Sequence, residues 1–136
     1  RFVDDDTQDF LTEMTNEIMS LNPYFRAVVD SLDFFMQRED PNRVIAMLRM
    51  MQAHTQLTRG ILFITVSNDT ITPAIKQEMA AIADMVCDFK VRTVGSDFET
   101  SMIVSKFRNA PENLSIMVYR VTPEEGITPE TVERIA

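Results

Sequence analysis

The residue best placed to do chemistry is Asp30, which ends the run Phe25-Arg26-Ala27-Val28-Val29-Asp30-Ser31-Leu32. An apolar, β-branched stretch rising from a polar turn predicts a strand buried on both faces of a parallel sheet. In open parallel sheets ligands bind beyond the carboxyl ends of the strands. A carboxylate at that point can hold a metal ion or orient a water. A plainer role fits the same residues, with Asp30 ending the strand and capping the next segment of chain. Other reactive types are sparse. Cys87 is the single cysteine and His54 the single histidine. An internal disulfide, a cysteine-built zinc site and any metal site needing two histidines are therefore excluded. Gly60, Gly95 and Gly126 are the three glycines, each isolated. No glycine-rich phosphate loop can be written with them.

A second acidic feature, Val3-Asp4-Asp5-Asp6, resembles the acidic pocket of a phospho-accepting receiver domain. Asp30 would then be the acceptor, with Thr65 or Ser67 as the hydroxyl residue. The 25 residues from Asp5 to Asp30 leave room for one helix, without the strand and second helix that such a fold needs. The run is read instead as a solvated N-terminal turn and helix cap.

The 136 residues suit one domain with a sizeable core. A net charge of −8 sets up a field that repels nucleic acid and anionic membranes. No stretch approaches the roughly 20 apolar residues of a membrane span, and no signal-peptide pattern is present. A reducing cytoplasm is the simplest location for a chain with one cysteine. The start at Arg1 rather than methionine suggests an excised or processed piece.

The elements that must position Asp30 emerge from periodicity. Over residues 7–21, Phe10, Leu11, Met14, Ile18 and Leu21 share one arc of a helix, with Asp6 or Thr7 as its cap. Asn22-Pro23 stops it, and the strand ending at Asp30 comes next. Asp40-Pro41 starts a second helix, running to about Thr58 and closing at Gly60. Residues 61–66 form another buried-type strand. Thr72-Pro73 opens a third helix, with Ile75, Met79, Ile82 and Val86 as its apolar stripe. Residues 89–94 alternate like a half-exposed strand, and 102–107 and 115–121 read as two more. Thr122 to Glu130 is proline- and acid-rich, with Gly126 in a turn. The fold class is α/β, with parallel core strands and an antiparallel C-terminal hairpin.

The second helix has an unusually broad apolar arc of about 220°, from Val44 round to Met50 and His54. Either it is covered from two sides, or its Met47-Met50-His54 edge meets a partner. A methionine-rich edge also suits an adaptable core boundary.

Taken in order, these segments resemble the RecA-like ATPases, most closely the KaiC and RadA-like branch. Arg26-Ala27-Val28-Val29-Asp30-Ser31-Leu32 is similar to that family's Walker B strand. Ile61 to Asn68 resembles the next strand of the family with its small polar end. Ile103-Val104-Ser105-Lys106-Phe107-Arg108 looks like the hairpin carrying Lys-x-Arg, and Val118 to Ile127 like the terminal strand and turn. The resemblance spans residues 7–130 and implies a partial three-layer sandwich of the RecA-like, P-loop NTPase type.

The resemblance assigns roles. Asp30 would hold the magnesium-bound water facing ATP, with Ser31 beside it and Ser67 and Asn68 at the sensor position. Lys106 and Arg108 would reach the γ-phosphate of a nucleotide on a neighbouring subunit. The family's phosphate loop, its lysine and its catalytic glutamate precede the Walker B strand and are not among these residues. Asn109 also stands where the family usually has glycine, and Thr100-Ser101 where it has arginine. The implied molecule is the C-terminal portion of an oligomeric ATP-binding module, inactive alone. The alternatives are a non-catalytic interaction or signalling module on the same fold, or an unrelated α/β domain with a pocket at the strand ends. Charges at Lys106 and Arg108 also suit an exposed hairpin edge. In the family's strand order the phosphate-loop strand lies between residues 61–66 and 89–94. Its absence would leave a seam there, so assembly as a dimer or larger is expected.

Overall fold

The computed structural model describes residues 9–130. The chain forms two compact units, one ending at Ile82 and one beginning at Ala83.

In the first unit, α1 (Phe10–Met19) starts at Asp9. The Asp9 carboxylate accepts from the Thr12 backbone N–H at 3.0 Å and from the Thr12 hydroxyl at 2.7 Å. Asp9 is therefore the cap, in place of the expected Asp6 or Thr7, which lie outside the described residues. Leu11, Thr15 and Ile18 recur at helical spacing and are buried. The Thr15 hydroxyl donates to Leu11 O at 2.7 Å, so its burial leaves no orphaned polar group.

Strand β1 (Arg26–Val29) pairs in parallel with β2 (Ile61–Ile64), Arg26 opposite Ile61 and Val29 opposite Ile64. Between them lie a short helix α2 (Asp33–Arg38) and the long helix α3 (Pro41–Thr58). Asp40 caps α3 as expected, accepting from Asn42 N at 2.9 Å with Pro41 in the first turn. The helix runs to Thr58 and closes at Gly60 as expected. Arg59, not Gly60, takes the left-handed conformation, at φ 54°. The Gly60 N–H donates to Thr55 O at 2.9 Å, completing a Schellman-type end. Glycine is needed at position 60 for a different reason: a β-carbon there would overlap the Phe25 ring.

Leu11, Ile18, Leu32, Val44, Ile45, Leu48 and Met51 form the core, and Ala27, Val29, Leu62 and Ile64 pack on it from the sheet. Helix α4 (Pro73–Ile82) adds Ile75, Met79 and Ile82. Alternation along the strands turns Val28, Ile61 and Phe63 to the opposite face, where they are exposed. Among the described residues, β1 and β2 are thus covered by core on one face, whereas the sequence pattern implied both. On α3, the apolar arc narrows to its buried residues Val44, Ile45, Leu48 and Met51. Met47 packs on the core and Met50 is exposed.

The second unit is an antiparallel meander of β3 (Met85–Val94), β4 (Asp97–Phe107), β5 (Ser115–Thr122) and β6 (Gly126–Glu130). Val86 belongs to β3, not to the apolar stripe of the preceding helix. The segment from Thr122 to Glu130 ends in a strand rather than remaining a turn. The tight β3–β4 turn places Gly95 at φ 63°, a conformation glycine adopts without a Cβ penalty. Pro129 sits on the outer strand β6, where a missing backbone N–H is tolerated. No helix of the described residues is long and apolar enough to cross a membrane.

Candidate functional site at the carboxyl ends of the parallel strands

Parallel pairing brings the residues after β1 and β2 side by side. Asp30 and Thr65 each lie one position beyond the last residue of their strand. The Thr65 hydroxyl donates to Asp30 Oδ1 at 2.6 Å. Backbone bonds brace the pair: Thr65 N–H donates to Val29 O at 3.1 Å and Leu32 N–H to Thr65 O at 2.9 Å. Asp30 is exposed and Leu32 fully buried. The chain is therefore anchored two residues beyond a carboxylate that faces solvent. The Asp30–Ser31 peptide bond is cis.

A second carboxylate, Asp33, organises the polar residues around this pair. The Ser31 hydroxyl donates to Asp33 Oδ2 at 2.7 Å, and the Ser67 backbone N–H donates to Asp33 Oδ1 at 2.9 Å. Hydrogen bonds from Ser31 first, then the Ser67 backbone and the Thr70 side chain, hold the Asp33 carboxyl below the ordinary carboxylate range. The Thr70 N–H donates to Ser67 O at 3.1 Å, closing the turn after β2. Asp33 was not among the candidates read from sequence. Its one signal there is an acid three positions after Asp30, and its partner Ser67 lies 34 residues away.

The structure thus gathers Asp30, Ser31 and Ser67 at one end of the parallel pair, and Asn68 is exposed on the same turn. Lys106 and Arg108 belong to the other unit. Lys106 lies on β4 opposite Val86, next to a register shift in the ladder. Arg108 comes just after β4 and bonds twice to Asp84. Its Nη1 lies 2.9 Å from Asp84 Oδ1, and its backbone N–H donates to Asp84 O at 2.8 Å. His54 is held at the core edge, with Nε2 3.2 Å from Leu21 O and its ring stacked on Phe25. A carbonyl only accepts, so this nitrogen carries the proton. Cys87 is half-buried, and burial, then the neighbouring Asp88, push its thiol up and away from the reactive thiolate. Among the described residues no group of three or more His, Cys, Asp or Glu side chains is placed to hold a metal ion.

This fold is that of the RecA/KaiC-like α/β proteins. It is similar to the flagellar accessory protein FlaH from Methanocaldococcus jannaschii, with a TM-score of 0.68 at 18% identity. It is also similar to the KaiC-like protein PH0186 from Pyrococcus horikoshii OT3, with a TM-score of 0.62 at 15% identity. In both cases 90% of this chain is matched and it spans 54% of the other, about half the length of each solved neighbour. By sequence the chain belongs to a family of unknown function, DUF7125, whose profile matches residues 1–119. No curated protein matches the sequence.

Proposed function

We propose that this chain is the C-terminal part of an oligomeric RecA/KaiC-like ATP-binding module, with Asp30 as its Walker B carboxylate. The observation that carries the reading is Asp30 at the end of parallel strand β1, fixed through Oδ1 by the Thr65 hydroxyl of the adjoining strand. That single bond leaves Oδ2 for a magnesium-bound water. Ser31, Ser67 and Asn68 provide hydroxyl and amide groups at the same strand ends, a donor set that suits a hydrated magnesium and a polyphosphate. The bound Mg-ATP would supply the cation and the phosphoryl group. Asp30 would orient the water, while Asp33 holds the Ser31 and Ser67 loops in place. Lys106 and Arg108 would serve a nucleotide on the neighbouring subunit, where positive charge offsets the negative charge that develops in phosphoryl transfer. Phosphate-binding backbone N–H groups would come from sequence outside these residues.

One observation favours a second reading, a non-catalytic interaction or signalling module that retains the fold. The Arg108 guanidinium is already paired with Asp84 inside its own unit. A finger acting on another subunit must first leave that partner.

Calorimetry with Mg-ATP tests the proposal. The 136-residue chain should show no binding tighter than about 1 mM, roughly −4 kcal/mol. A longer form of the protein that includes a phosphate loop should bind far more tightly. Micromolar binding by the 136 residues alone would mean that the phosphates are held elsewhere.

A further inference from the structure

The four-stranded sheet of the second unit is amphipathic. Ladder pairing puts Phe89 opposite Met102, Val91 opposite Thr100 and Thr93 opposite Phe98. Met102 continues across to Met117, Thr100 to Tyr119, and Val121 to Ile127. Directly paired residues point to the same side of a sheet and neighbours along a strand alternate. One face therefore consists of uncharged residues alone. The charged side chains of the strands, among them Lys90, Arg92, Glu99, Arg120 and Glu130, lie on the other face. There Arg92 pairs with Glu99 at 2.6 Å, and Arg120 pairs with Glu130. Even Lys106 conforms. The register shift between Val86 and Cys87 sets it opposite Val86, on the charged side.

An amphipathic sheet ordinarily buries its apolar face and solvates the other. Here much of the apolar face is open, although Val104 at one end of it is buried. Phe89, Val91, Phe98, Met117, Val121 and Ile127 are between 43% and 75% exposed. Two phenylalanines and four aliphatic side chains this exposed make a patch of several hundred Å², at the upper end of the roughly 300–600 Å² of the largest patch on a typical monomer. It is on the order of the roughly 800 Å² per partner that a standard interface buries.

We propose that this face is where two copies of the chain meet, sheet against sheet about a two-fold axis. The lack of any charge on the face gives an acidic or basic partner nothing to recognise, whereas an apolar surface is complementary to itself. The area is what a stable dimer needs. The charge pattern also permits like to meet like in a chain of net charge −8. Two apolar faces packed about 10 Å apart leave the sheet charges on the outside of both. This contact is separate from the one through which Lys106 would act on a neighbouring subunit, since Lys106 lies on the opposite, charged face, and it requires no nucleotide.

Light scattering or sedimentation of the 136-residue chain at low micromolar concentration, without nucleotide, tests it. The expected mass is that of a dimer. Val91→Glu and, independently, Ile127→Glu should each weaken association at least tenfold while the circular dichroism stays that of the wild type. Lys90→Glu, on the charged face, should associate as the wild type does. Should one glutamate variant fail to fold, the other decides, since the two sites lie on strands at opposite edges of the sheet. A wild-type chain at monomer mass overturns the proposal. Folded glutamate variants that associate normally overturn it as well. Neither outcome bears on the calorimetric test of nucleotide binding.

Discussion

Thr65 donates its hydroxyl proton to Asp30 at 2.6 Å, joining residues 35 positions apart at the ends of two adjacent strands. The bond exists because the strands are parallel and in register, so both chains emerge at the same edge. It sets the direction of a carboxylate that otherwise faces solvent. Thr65→Val removes the donor and keeps the shape. The expected loss of stability is about 0.5–1.5 kcal/mol, at the low end for a solvent-facing bond. Urea unfolding of the two proteins measures it.

Gly60 offers a packing test. The Phe25 ring occupies the space of a β-carbon at this position and is itself stacked on His54. Gly60→Ala should therefore cost about 1–3 kcal/mol, the range of overpacking in a well-filled region. A second substitution, Phe25→Leu, should recover part of that loss in thermal unfolding of the double variant.

Acid should weaken the start of α1. Hydrogen bonds from the Thr12 backbone, then from the Arg43 and Thr12 side chains, lower the Asp9 carboxyl from 3.8 to about 2. A carboxylate depressed by folding stabilises the native state above its unfolded value. That contribution fades as pH falls through the folded value. Asparagine still caps a helix but does not titrate. The difference in stability between wild type and Asp9→Asn should be constant above pH 3.8 and shrink toward pH 2. Denaturant midpoints across that range give the comparison.

Residues with strong local chemistry were legible in the sequence. Asp40-Pro41 declared the start of α3, and the β-branched run before Asp30 declared β1, because both signals are contained within a few positions. The short helix α2 has six residues, too few for a periodicity to form. Strand β6 is punctuated by Pro129, and only its outer position in the sheet makes that proline acceptable. Val86 continued the spacing of Ile75, Met79 and Ile82, yet the chain had already turned into β3. At the site, Asp30, Ser31 and Ser67 carried visible polar endings. Asp33 did not stand out, since its role consists of contacts that only folding creates.

Arg108 should matter to turnover only in an assembled, nucleotide-bound form. In a longer form with a phosphate loop, Arg108→Ala should lower turnover by about 10³-fold or more, the scale of fingers acting in trans. Lys106→Ala should act in the same direction. Mixing Arg108→Ala with Asp30→Asn subunits should restore part of the activity, because each supplies what the other lacks. Steady-state hydrolysis in mixed oligomers reads this out, and no rescue with both variants assembled would argue against action between subunits.

The most direct test of the central claim is the hydrolysis rate of Asp30→Asn in that same longer form, with circular dichroism as a control for folding. The substitution keeps an oxygen to accept from Thr65 and removes the charge that, in the proposed reading, would face a magnesium-bound water. Turnover is expected to be abolished while the spectrum remains that of the wild type. A folded Asp30→Asn protein that hydrolyses Mg-ATP at the wild-type rate would contradict the assignment of Asp30 as the Walker B carboxylate.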